Sequence, residues 1–269
     1  MATTIKSVEL PDRVKLPYVE QGNPSGVPVL LLHGYTDSWR SFEPVLPHLP
    51  DSIHAFALTQ RGHGGADQPA TGYRTRDFAG NVLAFMDALR LGPAVVVGHS
   101  MGSTNAQRFA IDHPERVLGL VLAGSFATFR GNPTIVDFWQ SAVSQLTDPI
   151  DPGFVREFQE STLAQPVSKA FLDTVVQESL KVPARVWRAA CEGFLEDDFA
   201  GEFAKIKAPT LIVWGARDTF CPRHDQDALL AAIPDARLVV YEKAGHAFHW
   251  EEPERFASDL VAFVKSLGI

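Results

Sequence analysis

Short apolar runs recur along the chain, separated by longer stretches in which apolar residues fall on one helical face. Val29-Leu30-Leu31-Leu32 is a continuous apolar run, as a strand buried on both faces of a sheet requires. Ile53 to Ala57, Ala94 to Val97, Val117 to Leu122, Thr210 to Trp214 and Leu238 to Tyr241 are of the same kind. Val14 to Glu20 reads as a further strand before the turn Gly22-Asn23-Pro24. Phe78, Val82, Phe85, Met86 and Leu89 recur at helical spacing behind Thr75 as N-cap, and Leu91-Gly92-Pro93 punctuates the end. A last helix begins at Pro253, a favoured first helical position, and sets Phe256, Leu260, Val261, Phe263, Val264 and Leu267 on one broad face. Strand alternating with helix predicts parallel βαβ units with right-handed crossovers.

One region breaks the rhythm. From Thr128 to Ala200 no strand run occurs, only helical stretches punctuated by Asp148-Pro149, Asp151-Pro152-Gly153, Gln165-Pro166 and Val182-Pro183. A helical insertion between two strands of the sheet is the expectation. Its many Phe and Trp residues, Trp139 and Trp187 among them, suffice both to pack on the main body and to line a pocket.

The 269 residues accommodate one large α/β domain with such an insertion, and 45% hydrophobic and 21% charged residues are ordinary globular composition. The net charge of −8 gives no electrostatic footprint for nucleic acid or an anionic membrane, so neither is expected as a partner. Cys191 and Cys221 have no Cys-X-X-Cys spacing, and no disulfide framework, metal site or cofactor is expected. Met1 to Leu10 carries Lys6 and Glu9 with no apolar leader core, and no later stretch is long enough to span a bilayer. A cytoplasmic protein is the expectation.

Against that background one pentapeptide carries chemistry. Gly98-His99-Ser100-Met101-Gly102 follows the run Ala94 to Val97 and opens a helical segment, which is the Gly-X-Ser-X-Gly pattern of a nucleophile elbow. The flanking glycines let strand and helix backbones approach closely while the serine hydroxyl is held clear of both. A serine hydroxyl becomes nucleophilic only when a base takes its proton and a third group orients that base. Among nine histidines, His246 in Ala244-Gly245-His246-Ala247 follows the strand ending at Tyr241 and so projects from the carboxyl edge of the sheet, where Ser100 must emerge. His249, nearer the helix start beside Trp250, is the weaker alternative; His48, His54, His63, His113 and His224 have no comparable placement. Asp218 follows the strand Leu211 to Trp214 on the same edge and is the expected orienting acid, with Asp225 and Asp227 read as surface charges of the next helix. A tetrahedral intermediate also needs oxyanion donors. The Met101 N–H is one, and Tyr35, after the strand ending at Leu32 and beside Gly34, supplies the other.

Together these motifs resemble the α/β-hydrolase superfamily, in its single-domain members with a helical cap. His33-Gly34-Tyr35 is similar to that family's oxyanion loop, Arg61-Gly62-His63-Gly64 to its loop after the fourth strand, and Ala244-Gly245-His246 to its histidine loop. The resemblance implies an α/β-hydrolase fold with a mostly parallel eight-stranded sheet flanked by helices. It implies a core of residues 1–127 and 201–269 and a cap of residues 128–200. Ser100 at the nucleophile position argues against the aspartate-dependent haloalkane dehalogenases and epoxide hydrolases. Within the serine branch the chain is similar to carboxylesterases, enol-lactonases, carbon–carbon hydrolases and cofactor-free haloperoxidases or perhydrolases, although Ser103 stands where many relatives have a second glycine. From Thr128 to Ala200 there are six Lys or Arg and eleven Asp or Glu, so no cationic clamp is visible, and a small, largely apolar ester or lactone is the expected substrate. Gly34, His99, Phe126, Trp139 and Trp187 are expected to line its site. A ligand receptor that keeps the fold and triad is the alternative from outside enzymology.

Overall fold

A computed structural model of the protein describes residues 4–269, so the first three residues of the Met1 to Leu10 stretch lie outside the described residues. Eight strands form one sheet: β1 (Ile5–Glu9), β2 (Lys15–Gln21), β3 (Val27–Leu32), β4 (Ile53–Leu58), β5 (Ala94–His99), β6 (Val117–Ala123), β7 (Thr210–Gly215) and β8 (Ala236–Tyr241). Their order is β1-β2-β4-β3-β5-β6-β7-β8. The pairs β1/β2 and β2/β4 are antiparallel, and every pair from β4 to β8 is parallel. The strand absent from the hydropathy reading is β1. It is largely exposed along its length, pairs only with β2 and therefore shows no apolar run.

The continuous apolar runs are explained by burial on both faces. In β3, Leu30 and Leu32 pack into one core layer while Val29 and Leu31 pack into the other, and β5 divides in the same way between Val96 and the pair Val95 and Val97. The first layer is closed by α1 (Thr75–Ala88) through Val82, Phe85 and Met86, and by α2 (Met101–Asp112) through Ala106 and Phe109. α7 (Arg223–Ala232) adds Leu229 to it. The opposite layer is closed by α9 (Pro253–Ser266), whose Phe256, Leu260, Phe263 and Val264 are the stripe read from the sequence. Between β6 and β7 the chain forms α3 (Pro133–Ser141), α4 (Pro152–Ser161), α5 (Lys169–Leu180) and α6 (Ala184–Glu196). These carry a third, aromatic core that includes Phe194 and Trp187. A four-residue helix, α8 (Phe248–Glu251), precedes α9.

Two local expectations are corrected. Thr75 is the first helical residue of α1, not its cap; Arg74 takes the cap position and its N–H donates to Asp77. The Thr75 N–H and hydroxyl both donate instead to Asp197, which follows α6, so an acid from the inserted region meets the positive end of α1. Asp225 is buried, with one carboxylate oxygen unpartnered among the described residues, and burial raises its pKa; only Asp227 is a surface charge.

A close backbone contact lies where α2 starts. A Cβ on Gly98 would stand 2.2 Å from the Gly102 carbonyl oxygen, and one on Gly102 would stand 2.2 Å from the Leu32 carbonyl oxygen. Backbone cannot yield as a flexible side chain does, so Gly102→Ala is expected to lower stability by about 2 kcal/mol or more. Gly80→Ala, in an open part of α1 with nothing within 4 Å of the added methyl, is expected to stabilise by about 1 kcal/mol. Urea unfolding of both variants checks the pair; equal midpoints would contradict the steric account.

Candidate active site

All the chemically relevant side chains lie on loops leaving the carboxyl ends of parallel strands, the edge at which open α/β sheets bind ligands. Ser100 directly follows β5 with φ 53° and ψ −119°, a backbone conformation that a non-glycine residue rarely adopts. The strain is held from both sides. The Ser100 N–H donates to the Ala123 carbonyl at 2.9 Å, and the Ser103 N–H and hydroxyl donate to the Ser100 carbonyl at 2.8 and 2.6 Å. Ser103, the departure from the familiar glycine pattern, thus adds a bond that helps fix the turn.

His246 Nδ1 donates to Asp218 Oδ2 at 2.8 Å, and both side chains are almost fully removed from water. With the proton on Nδ1, Nε2 keeps its lone pair. The other oxygen of Asp218 accepts from the N–H groups of Phe220 and Cys221 at 2.8 and 2.9 Å, so the carboxylate is fixed by the turn after β7. Asp218, Cys221 and His246 offer three potential metal-binding atoms within 4.8 Å of one another. Their bonding does not fit an ion. The Cys221 thiol donates to the Gly124 carbonyl, and burial, reinforced by the charge of Asp218, keeps it protonated well above its ordinary pKa.

Two backbone amides stand near this group without an acceptor among the described residues. Met101 is the first residue of α2, where N–H groups lack an intrahelical partner, and the Tyr35 N–H donates to nothing. The Tyr35 loop is pinned by His33, whose Nδ1 donates to the Gly34 carbonyl at 2.8 Å while its Nε2 accepts from the Gln60 N–H at 2.9 Å. Burial holds that ring neutral. The Tyr35 hydroxyl donates to the Trp187 carbonyl and so ties the same loop to α6.

Ser100, Met101, Tyr35 and His246 line one cavity, about 50 Å³ in volume, or room for a few water molecules. Gly34, His99 and Phe126 line it too, and Phe158 and Phe220 add to its apolar wall. Trp139 and Trp187 are corrections. Neither reaches the cavity: Trp187 is fully buried behind the rings of Tyr35 and Phe158, and Trp139 is half-buried at the edge of the aromatic core. His249 is also removed from the chemistry, its Nε2 bonded to Ser41.

Comparison with known proteins identifies the fold. The family model for the alpha/beta hydrolase fold matches residues 27–253. The chain belongs to the alpha/beta hydrolase family. It is 29% identical to a non-heme chloroperoxidase of Streptomyces lividans, over 97% of this chain and 99% of that protein. It is 27% identical to a 2-hydroxy-6-oxononadienedioate/2-hydroxy-6-oxononatrienedioate hydrolase of Paraburkholderia xenovorans, over 98% and 96%. Among solved structures, an esterase from Exiguobacterium antarcticum superposes with a TM-score of 0.86 at 25% identity, covering 98% of this chain and all of that one.

The hydrolase cavity is also lined by polar groups that the sequence reading did not single out, Asp37 and Gln159 among them. Asp37 lies four residues beyond His33 on the same loop, and that position at the carboxyl edge was its only advance signal. Gln159 comes from α4 and donates to Asp37 at 3.1 Å, while the Ser41 hydroxyl donates to the other carboxylate oxygen at 3.2 Å. Burial outweighs these bonds and pushes the Asp37 pKa up to about 7. A carboxyl raised in the folded state stabilises most below its unfolded value of 3.8, and that contribution is lost as pH rises toward 7. Asp37→Asn is therefore expected to gain stability relative to the parent between pH 4 and 7, by on the order of 4 kcal/mol, in urea midpoints measured across that range. A difference independent of pH would contradict the shift.

Proposed function

We propose that the protein hydrolyses a small, largely apolar carboxylic ester or lactone through an acyl-enzyme intermediate on Ser100. The observation that carries this reading is a strained serine sharing one cavity with a histidine whose far nitrogen is bonded to a buried aspartate. His246 Nε2 takes the Ser100 proton as Oγ attacks the substrate carbonyl. The N–H groups of Met101 and Tyr35 hold the oxyanion, and Asp218 keeps the ring in the tautomer that can accept. Collapse of the tetrahedral species breaks the carbon–oxygen bond, and the proton on His246 passes to the departing alkoxide. Water, deprotonated by the same nitrogen, then attacks the acyl carbon and frees Ser100. No step calls on a cofactor.

In this reading residues 128–200 act as a helical cap on a core of residues 1–127 and 201–269. Its support is that the cavity walls come from both, Phe138 and Phe158 from the inserted helices and Ser100 and His246 from the sheet edge. No helix among the described residues is long and apolar enough to cross a membrane. A cytoplasmic location belongs to the same proposal, supported by two buried unpaired cysteines.

A second reading keeps the triad and replaces water with hydrogen peroxide as acyl acceptor, giving a peracid. It is favoured by the near full-length similarity to a chloroperoxidase. Turnover of chromogenic short-chain esters tests the primary proposal. Ser100→Ala is expected to lose at least about a thousandfold in kcat, and Asp218→Asn by a similar order, with the fold retained. An unchanged rate in Ser100→Ala would sink the proposal, and faster acyl transfer to peroxide than to water would favour the second reading.

A further inference from the structure

The backbone on both sides of His246 is pinned. The His246 carbonyl faces His99 Nε2 at 3.1 Å, and a carbonyl only accepts, so the ring of His99 donates to it from Nε2. The Ala244 carbonyl accepts from the Arg217 N–H at 3.0 Å, and the Ala247 N–H donates to the Thr162 carbonyl at 3.0 Å. Thr162 begins the connection between α4 and α5, and the histidine loop lies directly on that connection. A Cβ on Gly245 would stand 2.7 Å from the Ala164 nitrogen and 2.8 Å from the Thr162 carbonyl oxygen.

One side chain joins these two stretches of backbone. Glu251, the last residue of α8, is half-buried and lies outside the cavity. Its Oε2 accepts from the Gly245 N–H at 2.9 Å, and its Oε1 accepts from the Ala164 and Gln165 N–H groups at 2.6 and 3.1 Å. Arg255, the nearest arginine in sequence, pairs with Glu252 and Asp259 instead. A carboxylate suits this place because both of its oxygens only accept, and its charge strengthens each bond. We infer that Glu251 is a positioning residue for the catalytic base: it fastens the His246 loop to the α4–α5 connection, so that His246 keeps its place beside Ser100 only while the inserted helices are seated.

Glutamine has the same length but a single acceptor oxygen, and its NH2 group would face an N–H at the other position. Glu251→Gln therefore keeps one arm of the bridge and loses the other, which uncouples the loop whichever arm remains. None of Glu251, Ala164, Gln165 and Gly245 lines the cavity, so the contacts that bind substrate stay. With chromogenic short-chain esters, Glu251→Gln is expected to lose between about tenfold and a hundredfold in kcat with KM unchanged, the cost of an ångström of displacement in a reacting group. Labelling of Ser100 by a fluorophosphonate, which needs the same base, is expected to slow in parallel. Glu252→Gln removes a neighbouring charge that bonds Arg255 and the Gln165 side chain but not the histidine loop, and is expected to keep both rates. Glu251→Asp, an acceptor one methylene too short to span both arms, is expected to fall with Glu251→Gln and serves if that variant does not fold. A lower urea midpoint with kcat unchanged in the folded variant would mean a merely structural role and overturn the inference. So would a rise in KM alone, or an equal loss of kcat in Glu252→Gln.

This inference rests on the reading of Ser100 and His246 as nucleophile and base, and amide hydrogen exchange separates the two. If the wild type is neither labelled nor active on any ester, that reading has failed, and exchange then decides the bridge. The Gly245, Ala164 and Gln165 N–H groups of the wild type are expected to open together, with the released arm exchanging about tenfold faster in Glu251→Gln, the worth of one hydrogen bond. Independent opening of the Gly245 N–H and the other two in the wild type would overturn the bridge.

Discussion

The structure depends on one close approach of backbone to backbone, where the start of α2 meets the ends of β3 and β5. Gly98 and Gly102 leave no room for a side-chain carbon, and the turn between them drives Ser100 into a left-handed conformation. Three consequences follow from that contact. The serine hydroxyl faces the cavity, the Met101 N–H is left as a free first-turn donor, and the loop after β3 comes to lie beside the serine because Gly102 packs on the Leu32 carbonyl. The cost of the strained residue is offset by bonds to Ala123 and from Ser103, and by a sheet buried on both faces.

Around that contact the protein separates two kinds of polar group. Histidines close to the sheet, His33, His63, His99 and His249, are buried and held neutral, and they serve as fixed bonds between loops or as bare acceptors. His246 alone among the cavity histidines pairs its ring with a carboxylate, which fixes the tautomer that leaves its second nitrogen open. Asp218 and Asp37 differ in the same way. Asp218 is satisfied by two backbone N–H groups and a ring, whereas Asp37 receives only a hydroxyl and an amide and gives up its charge near neutral pH.

The legible part of this arrangement was the part encoded by neighbours in the chain. Six of the eight strands announced themselves by apolar runs and β2 by its place before a turn, and Ser100, Asp218 and His246 each follow an apolar run within a few residues. What stayed hidden depends on distant partners. The exposed edge strand β1 lacks an apolar stripe, and Thr75 is bonded by an acid more than a hundred residues away. Trp187 looked like a pocket residue because tryptophan is large and apolar, yet the packing of α6 turns it into the aromatic core behind Tyr35. Asp37 had no periodic or motif signal at all, since its significance comes from the meeting of its loop with α4 and with His99.

The central claim is that Ser100 carries the acyl group. Rapid quenching of the protein with p-nitrophenyl acetate, followed by intact-mass measurement and peptide mapping, tests it most directly. The account predicts a mass gain of one acetyl group on the peptide containing Ser100 and none in Ser100→Ala. Turnover of the ester with no acetylated protein, or with the label on another residue, would contradict it.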